Sequence, residues 1–172
     1  MTDTLVAETT SRDKQKLTRG LAKSDPLVAP VLSLAADLLG PIADADRNRI
    51  GLIMLGDNSA HHVADKVRTK LKARGRVSPI EFVNANSGAP IPVACTRLGL
   101  RGPTMNFVSG GEMTRTAADI LARRWLRGGD AIAIVILESG LTDEGKSALS
   151  ARLLKPGTDT AGREDVYLTA EF

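Results

Sequence analysis

A chain of 172 residues, 42% apolar and 25% charged, is long enough for one globular domain with a real core. Aromatic residues make up 3%, which argues against a stacking platform for single-stranded nucleic acid. The net charge of +3 is modest, and the basic residues are scattered through Lys66–Arg76 and Arg123–Arg127, as on solvated helix faces, rather than massed in one run. A single cysteine excludes an internal disulfide and a multi-cysteine metal site, and no run approaches the ~20 apolar residues of a membrane helix.

The opening "MTDTLVAETTSRDKQK" lacks a basic-then-apolar targeting pattern, so the expectation is a cytoplasmic protein. Residues 1–12 are polar and Thr-rich and are expected to be a flexible terminus, with one domain over 13–172. From Asp25 a helical stripe runs through Val28, Val31, Leu32, Leu34, Ala35, Leu38 and Leu39. Asp25 is its expected N-cap, Pro26 its first residue and Gly40-Pro41 its end.

"RIGLIML", 49–55, has the continuous apolar pattern of a strand buried on both faces. A turn at Gly56–Ser59 leads to a helix over 59–74, with Val63, Val67 and Leu71 inward and Gly75 as its stop. The stretch "VSPIEFVNANSGAP" reads as irregular, 91–99 as a short helix and 103–109 as a strand. A helix over 111–127 is expected to face Ala117, Ala118, Ile120, Leu121 and Trp125 inward. After a Gly128-Gly129-Asp130 turn come a strand at 131–139, a short helix at 142–154, a loop "KPGTDTAGRED" and a final strand "VYLTAEF". Strands alternating with helices predict an α/β domain with a mixed or mostly parallel sheet.

The chemistry-bearing residues are few. "GDNSA" lacks dinucleotide-fingerprint spacing, and no phosphate loop is present. His61 and His62 are neighbours on a helix, so they cannot chelate one ion together. Cys95, inside an Ala-rich helix, reads as a small buried hydrophobe. No metal or cofactor is expected. The remaining candidate is the strand-to-helix corner at Gly110, Gly111 and Glu112. There, helix N–H groups face whatever approaches, and glycine permits close approach. On these residues alone, a tight turn with a first-turn carboxylate and a functional corner remain equally open.

The run from Asn84 to Ser139, with "GLRGP" and then "RGGDA", resembles the N-terminal half of a β-ketoacyl synthase of the thiolase-like superfamily. The resemblance extends over roughly residues 25–140, and it implies a thiolase-like half domain in which a mixed β-sheet packs with helices. It also implies a nucleophilic Cys eight residues after the Pro of the Gly-Pro pair, where this chain has Gly111. The family's catalytic histidines belong to a second half that this sequence does not contain, and His61 and His62 match neither.

The resemblance therefore implies a non-catalytic partner of a condensing enzyme, like chain-length factors, in polyketide or fatty-acid-like biosynthesis. In the family the strand before the corner pairs across a two-fold axis. Thr104, Met105, Asn106, Phe107, Val108 and Ser109 would then meet a ketosynthase-type subunit or a second copy. Two other readings stand beside it. One is a divergent enzyme acting on acyl thioesters through Glu112, helped by Asn106 or Ser109. The other is an accessory protein holding an acyl carrier protein through Arg97, Arg101, Arg115, Arg123 and Arg124.

Overall fold

In the computed structural model, the described residues are 17, 19–21, 26–56, 61–86, 88–141, 147–157 and 167–171. They form helices α1 (Val28–Leu39), α2 (Asp44–Arg47), α3 (His61–Arg74), α4 (Pro79–Asn84), α5 (Pro90–Leu98) and α6 (Glu112–Gly128). The strands are β1 (Ile50–Leu55), β2 (Thr104–Phe107), β3 (Ala133–Leu141), β4 (Ser147–Leu154) and β5 (Tyr167–Glu171). The expectation for residues 1–12 lies outside the described residues.

The strands make one mixed sheet in the order β2-β1-β3-β4-β5. β2, β1 and β3 run parallel, β4 runs antiparallel to β3, and β5 antiparallel to β4. β1 lies between two neighbours and is buried at every position, which explains its unbroken apolar sequence. Its side chains alternate between two cores. Leu52 and Met54 join Val31, Leu32, Ala35 and Ala94 of α1 and α5. Ile53 and Leu55 join Ala118, Ala122 and Leu126 of α6 on the opposite face. Fully buried aliphatic side chains such as Leu32 and Ile53 each stabilise by about 1.5–3 kcal/mol.

The Gly-Pro motif has a packing cause. The Gly102 N–H donates to the Ile50 carbonyl at 3.1 Å, and a Cβ at Gly102 would lie 2.3 Å from that oxygen. Only glycine lets this loop run so close to β1, and Pro103 follows with its carbonyl accepting from Leu52 N–H at 3.0 Å.

Several expectations need correction. α1 starts at Val28 with Leu27 as an N-cap lacking a side-chain hydrogen bond. Pro26 stands in the preceding turn, and Asp25 lies outside the described residues. The stretch read as irregular contains α4, closed by a capping box in which Glu81 N–H donates to Ser78 Oγ and Ser78 N–H to the Glu81 carboxylate. Lys70 pairs with Glu81, and this ion pair chiefly holds the Glu81 carboxyl below its usual range. The helix expected over 142–154 is the strand β4 from Ser147 onward, and 142–146 lie outside the described residues. Leu149 and Leu153 share a face in a helix and in a strand alike, so their spacing misleads. Ala151 between them joins the same core, which only the two-residue period allows.

The faces of two helices also differ. On α6, Ala118, Ala122 and Leu126 are buried, Leu121 and Trp125 are half-buried, and Ala117 and Ile120 are exposed. The sheet already carries Ile53, Leu55, Ile134 and Ile136 on this side. Small alanines let the helix seat closely against them. α3 pairs with α4 and exposes Leu71. Val67 is half-buried, and the Val63 side chain lies outside the described residues.

Candidate functional site

The carboxyl ends of the three parallel strands converge on the corner between β2 and α6. The Gly56 N–H, just past β1, is shared between the carbonyls of Phe107 at 3.2 Å and Ser109 at 3.3 Å. From β3, the Ser139 hydroxyl donates to the Leu55 carbonyl at 3.3 Å. A Cβ at Gly56 would stand 2.0 Å from Ser139 Oγ, so β1 and β3 close on each other only because position 56 has no side chain.

The corner itself is Ser109-Gly110-Gly111. Gly111 is the N-cap of α6, with φ 96° and ψ 172°, a region essentially reserved for glycine. Thr114 braces the turn: its hydroxyl donates to the Gly110 carbonyl at 3.2 Å and lies 3.2 Å from Ser109 Oγ. Arg115 Nε lies 2.8 and 2.9 Å from the two oxygens of Glu138, tying the first turn of α6 to β3. Glu138 holds the Arg115 guanidinium above its ordinary pKa, with Glu112 a smaller influence in the same direction.

Glu112 projects from the first helical turn into solvent. Neither Gly110 nor Gly111 has any heavy atom within 4 Å of the position a Cβ would take, so the space above the corner is open. The arrangement offers free helix N–H groups at an exposed turn. It carries no side-chain nucleophile at Gly110 or Gly111.

Among the described residues β2 is the outermost strand, paired with β1 on one side only. Met105 is 40% exposed and Val108 62% exposed, while Thr104 and Ser109 are also exposed. Asn106 and Phe107 are half-buried, Phe107 against the α6 core. The six residues singled out in the sequence therefore lie along one open sheet edge that runs into the corner.

The other candidates are not brought to this corner. Cys95 packs half-buried against the α1 core, and burial pushes its thiol up. His61 and His62 open α3, and their side chains lie outside the described residues. The five arginines do not form one patch. Arg97, on α5, donates to the Arg19 carbonyl at 3.0 Å, Arg115 faces Glu138, and Arg123 and Arg124 lie on α6 across the sheet from α5. Among the described residues, no group of three or more His, Cys, Asp or Glu could hold a metal ion, and no helix is long and apolar enough to cross a membrane. The braces around the corner, Thr114 and the Arg115–Glu138 pair, escaped sequence reasoning. Thr114 four residues after Gly110 was a readable signal, whereas the reach to Glu138 depends on the sheet order.

A parallel β1–β2 pair, a glycine corner opening a long helix, and a third parallel strand followed by two antiparallel ones make up a mixed α/β domain with the corner at its parallel-strand ends. No family model matches the sequence, and no curated protein sequence matches it. Solved structures do. The ishigamide ketosynthase/chain length factor superposes with a TM-score of 0.60 at 22% identity, over 73% of this chain and 37% of that one. A ketosynthase (ApeO) in complex with its chain length factor (ApeC) from Xenorhabdus doucetiae superposes with a TM-score of 0.54 at 8% identity, over 78% of this chain and 51% of that one. The fold is thus that of ketosynthase/chain length factor structures, and this chain spans about half or less of their length.

Proposed function

We propose that the chain is a non-catalytic, ketosynthase-like subunit that partners a condensing enzyme in polyketide or fatty-acid-like biosynthesis, in the manner of a chain length factor. The observation that carries this reading is the open β2 edge. It exposes Met105 and Val108 directly before a corner whose helix starts at Gly111-Glu112 rather than at a nucleophile. An uncovered strand edge with apolar side chains is a template for another strand. A ketosynthase-type subunit is the expected occupant, and the setting is the cytoplasm.

Catalysis through Glu112 has less support. The carboxylate is exposed, and Arg115, which feels its charge, is engaged with Glu138. An acyl-carrier-binding role lacks a gathered basic patch among the five arginines named for it.

Amide hydrogen exchange tests the reading. In a mixture with a ketosynthase encoded beside it, the amides of Thr104 and Asn106, which face away from β1, should slow by about tenfold or more, as edge pairing protects N–H groups that β1 leaves open. A complex that leaves these amides unprotected, or no complex at all, would refute the proposed role of the β2 edge.

A further inference from the structure

The last turns of α6 meet the end of β4 at a cavity of about 190 Å³. It lies roughly 20 Å along the helix from the Gly110-Gly111 corner. Its lining is of two kinds. Leu126, Leu154 and Pro156 are apolar, and the two leucines are buried. Arg123, Arg127 and Lys155 are cationic, Arg123 half-buried and the other two exposed. None of the described lining residues is acidic.

The cations come from two elements. Arg123 and Arg127 stand one turn apart on α6 and share a face, and like charges at that spacing repel. The negative end of the helix dipole offsets part of this repulsion. Lys155 has another origin: Leu154 ends β4 inside the α6 core, and Lys155 follows it to the surface. Asp119, one turn before Arg123, pairs with Arg152. Positive charge therefore gathers beside an apolar wall. Arg123 and Lys155 also have partners within the chain, so Arg127 is the position at which the site is best tested.

This lining matches a ligand of the same make-up, an anionic group on a small apolar body. Guanidinium groups bind carboxylate and phosphate oxygens through paired N–H donors. An apolar cavity of about 150 Å³ accommodates benzene, so the cavity suits an aryl or short alkyl group.

We propose that the cavity between α6 and the end of β4 binds a small organic anion, a carboxylate or phosphate monoester whose apolar part rests on Leu126 and Leu154. The site does not involve β2, so this inference stands or falls independently of the partner-subunit reading.

Amide chemical shifts of the full chain, titrated with phenyl phosphate, benzoate, inorganic phosphate and benzyl alcohol up to about 10 mM, test it. The expected result is saturable shifts at residues 123–127 and 154–157 with phenyl phosphate or benzoate, and the tighter of the two names the anionic group. Inorganic phosphate and benzyl alcohol each carry half of the chemistry and should bind about tenfold more weakly or worse. Arg127→Gln should weaken binding about tenfold, and Arg127→Lys less. Arg124→Gln, exposed on the same helix but outside the cavity, should leave binding unchanged. Circular dichroism should be the same for all three variants, because both positions are exposed. No saturable shift with either organic anion overturns the proposal. So does inorganic phosphate binding as tightly as the organic anions, an adventitious ion only, and so does binding that survives Arg127→Gln or is lost with Arg124→Gln.

Discussion

Gly110 and Gly111 are adjacent, and the space around both is open, yet they make different demands on the chain. Gly111 has φ 96°, whereas Gly110 is not among the positive-φ glycines. Gly111→Ala should therefore cost about 1–3 kcal/mol from backbone strain alone. Gly110→Ala should be neutral or stabilise by about 0.4–1 kcal/mol, by narrowing the unfolded ensemble. Chemical denaturation of the two variants measures the contrast. Equal losses at both positions would mean that the turn conformation described for Gly111 is not what requires glycine. The corner adopts a backbone geometry that glycine reaches without strain and that any side chain at residue 111 would make costly.

At the scale of elements, β1 and α1 were legible because their residues satisfy one period without competition. β1 is apolar throughout, and the α1 stripe from Val28 to Leu38 packs on one core. Legibility failed where a pattern fits two structures. Leu149 and Leu153 suit a helix as well as β4, and only the pairing of Val135 with Leu153 and Glu138 with Ser150 decides for the strand. The sequence reading of the α6 face includes Ala118 but also takes in Ala117 and Ile120, which are exposed, and leaves out the buried Ala122 and Leu126. Seating on a sheet already filled by Ile53 and Ile134 favours the smaller side chain. α4 was overlooked although its signal was in the sequence. Ser78-Pro79 followed by Glu81 is a capping box with proline at the first helical position. Ser78→Ala should weaken α4 by about 1 kcal/mol. This should appear as faster amide exchange at Glu81 and Phe82, with the β1 amides unchanged. Unchanged exchange at those two residues would show that the cap does not hold the helix.

At the scale of the whole molecule, the two faces of the sheet are not equally covered. α1 and α5 bury one face with a broad core, while α6 covers the other and itself keeps Met113 and Ile120 exposed. Among the described residues the sheet ends at β2, which pairs only with β1 and leaves Met105 and the following Val108 exposed. A chain with the fold of ketosynthase/chain length factor structures, spanning 37% and 51% of the two chains compared, thus exposes large apolar side chains both beside the sheet edge and on α6. The resemblance read from "GLRGP" and "RGGDA" anticipated this fold, because those glycines mark close approaches and turns that the backbone requires. It could not indicate that Met105 and Val108 stand exposed at the sheet edge, since that depends on packing rather than on motif.

The most direct test of the partner-subunit account is the solution mass of the purified chain mixed with a ketosynthase encoded beside it, measured by size exclusion with light scattering. The account predicts a stable hetero-complex whose mass is the sum of whole copies of both chains. Elution of the two proteins at their separate masses, at concentrations where each is folded, would contradict it.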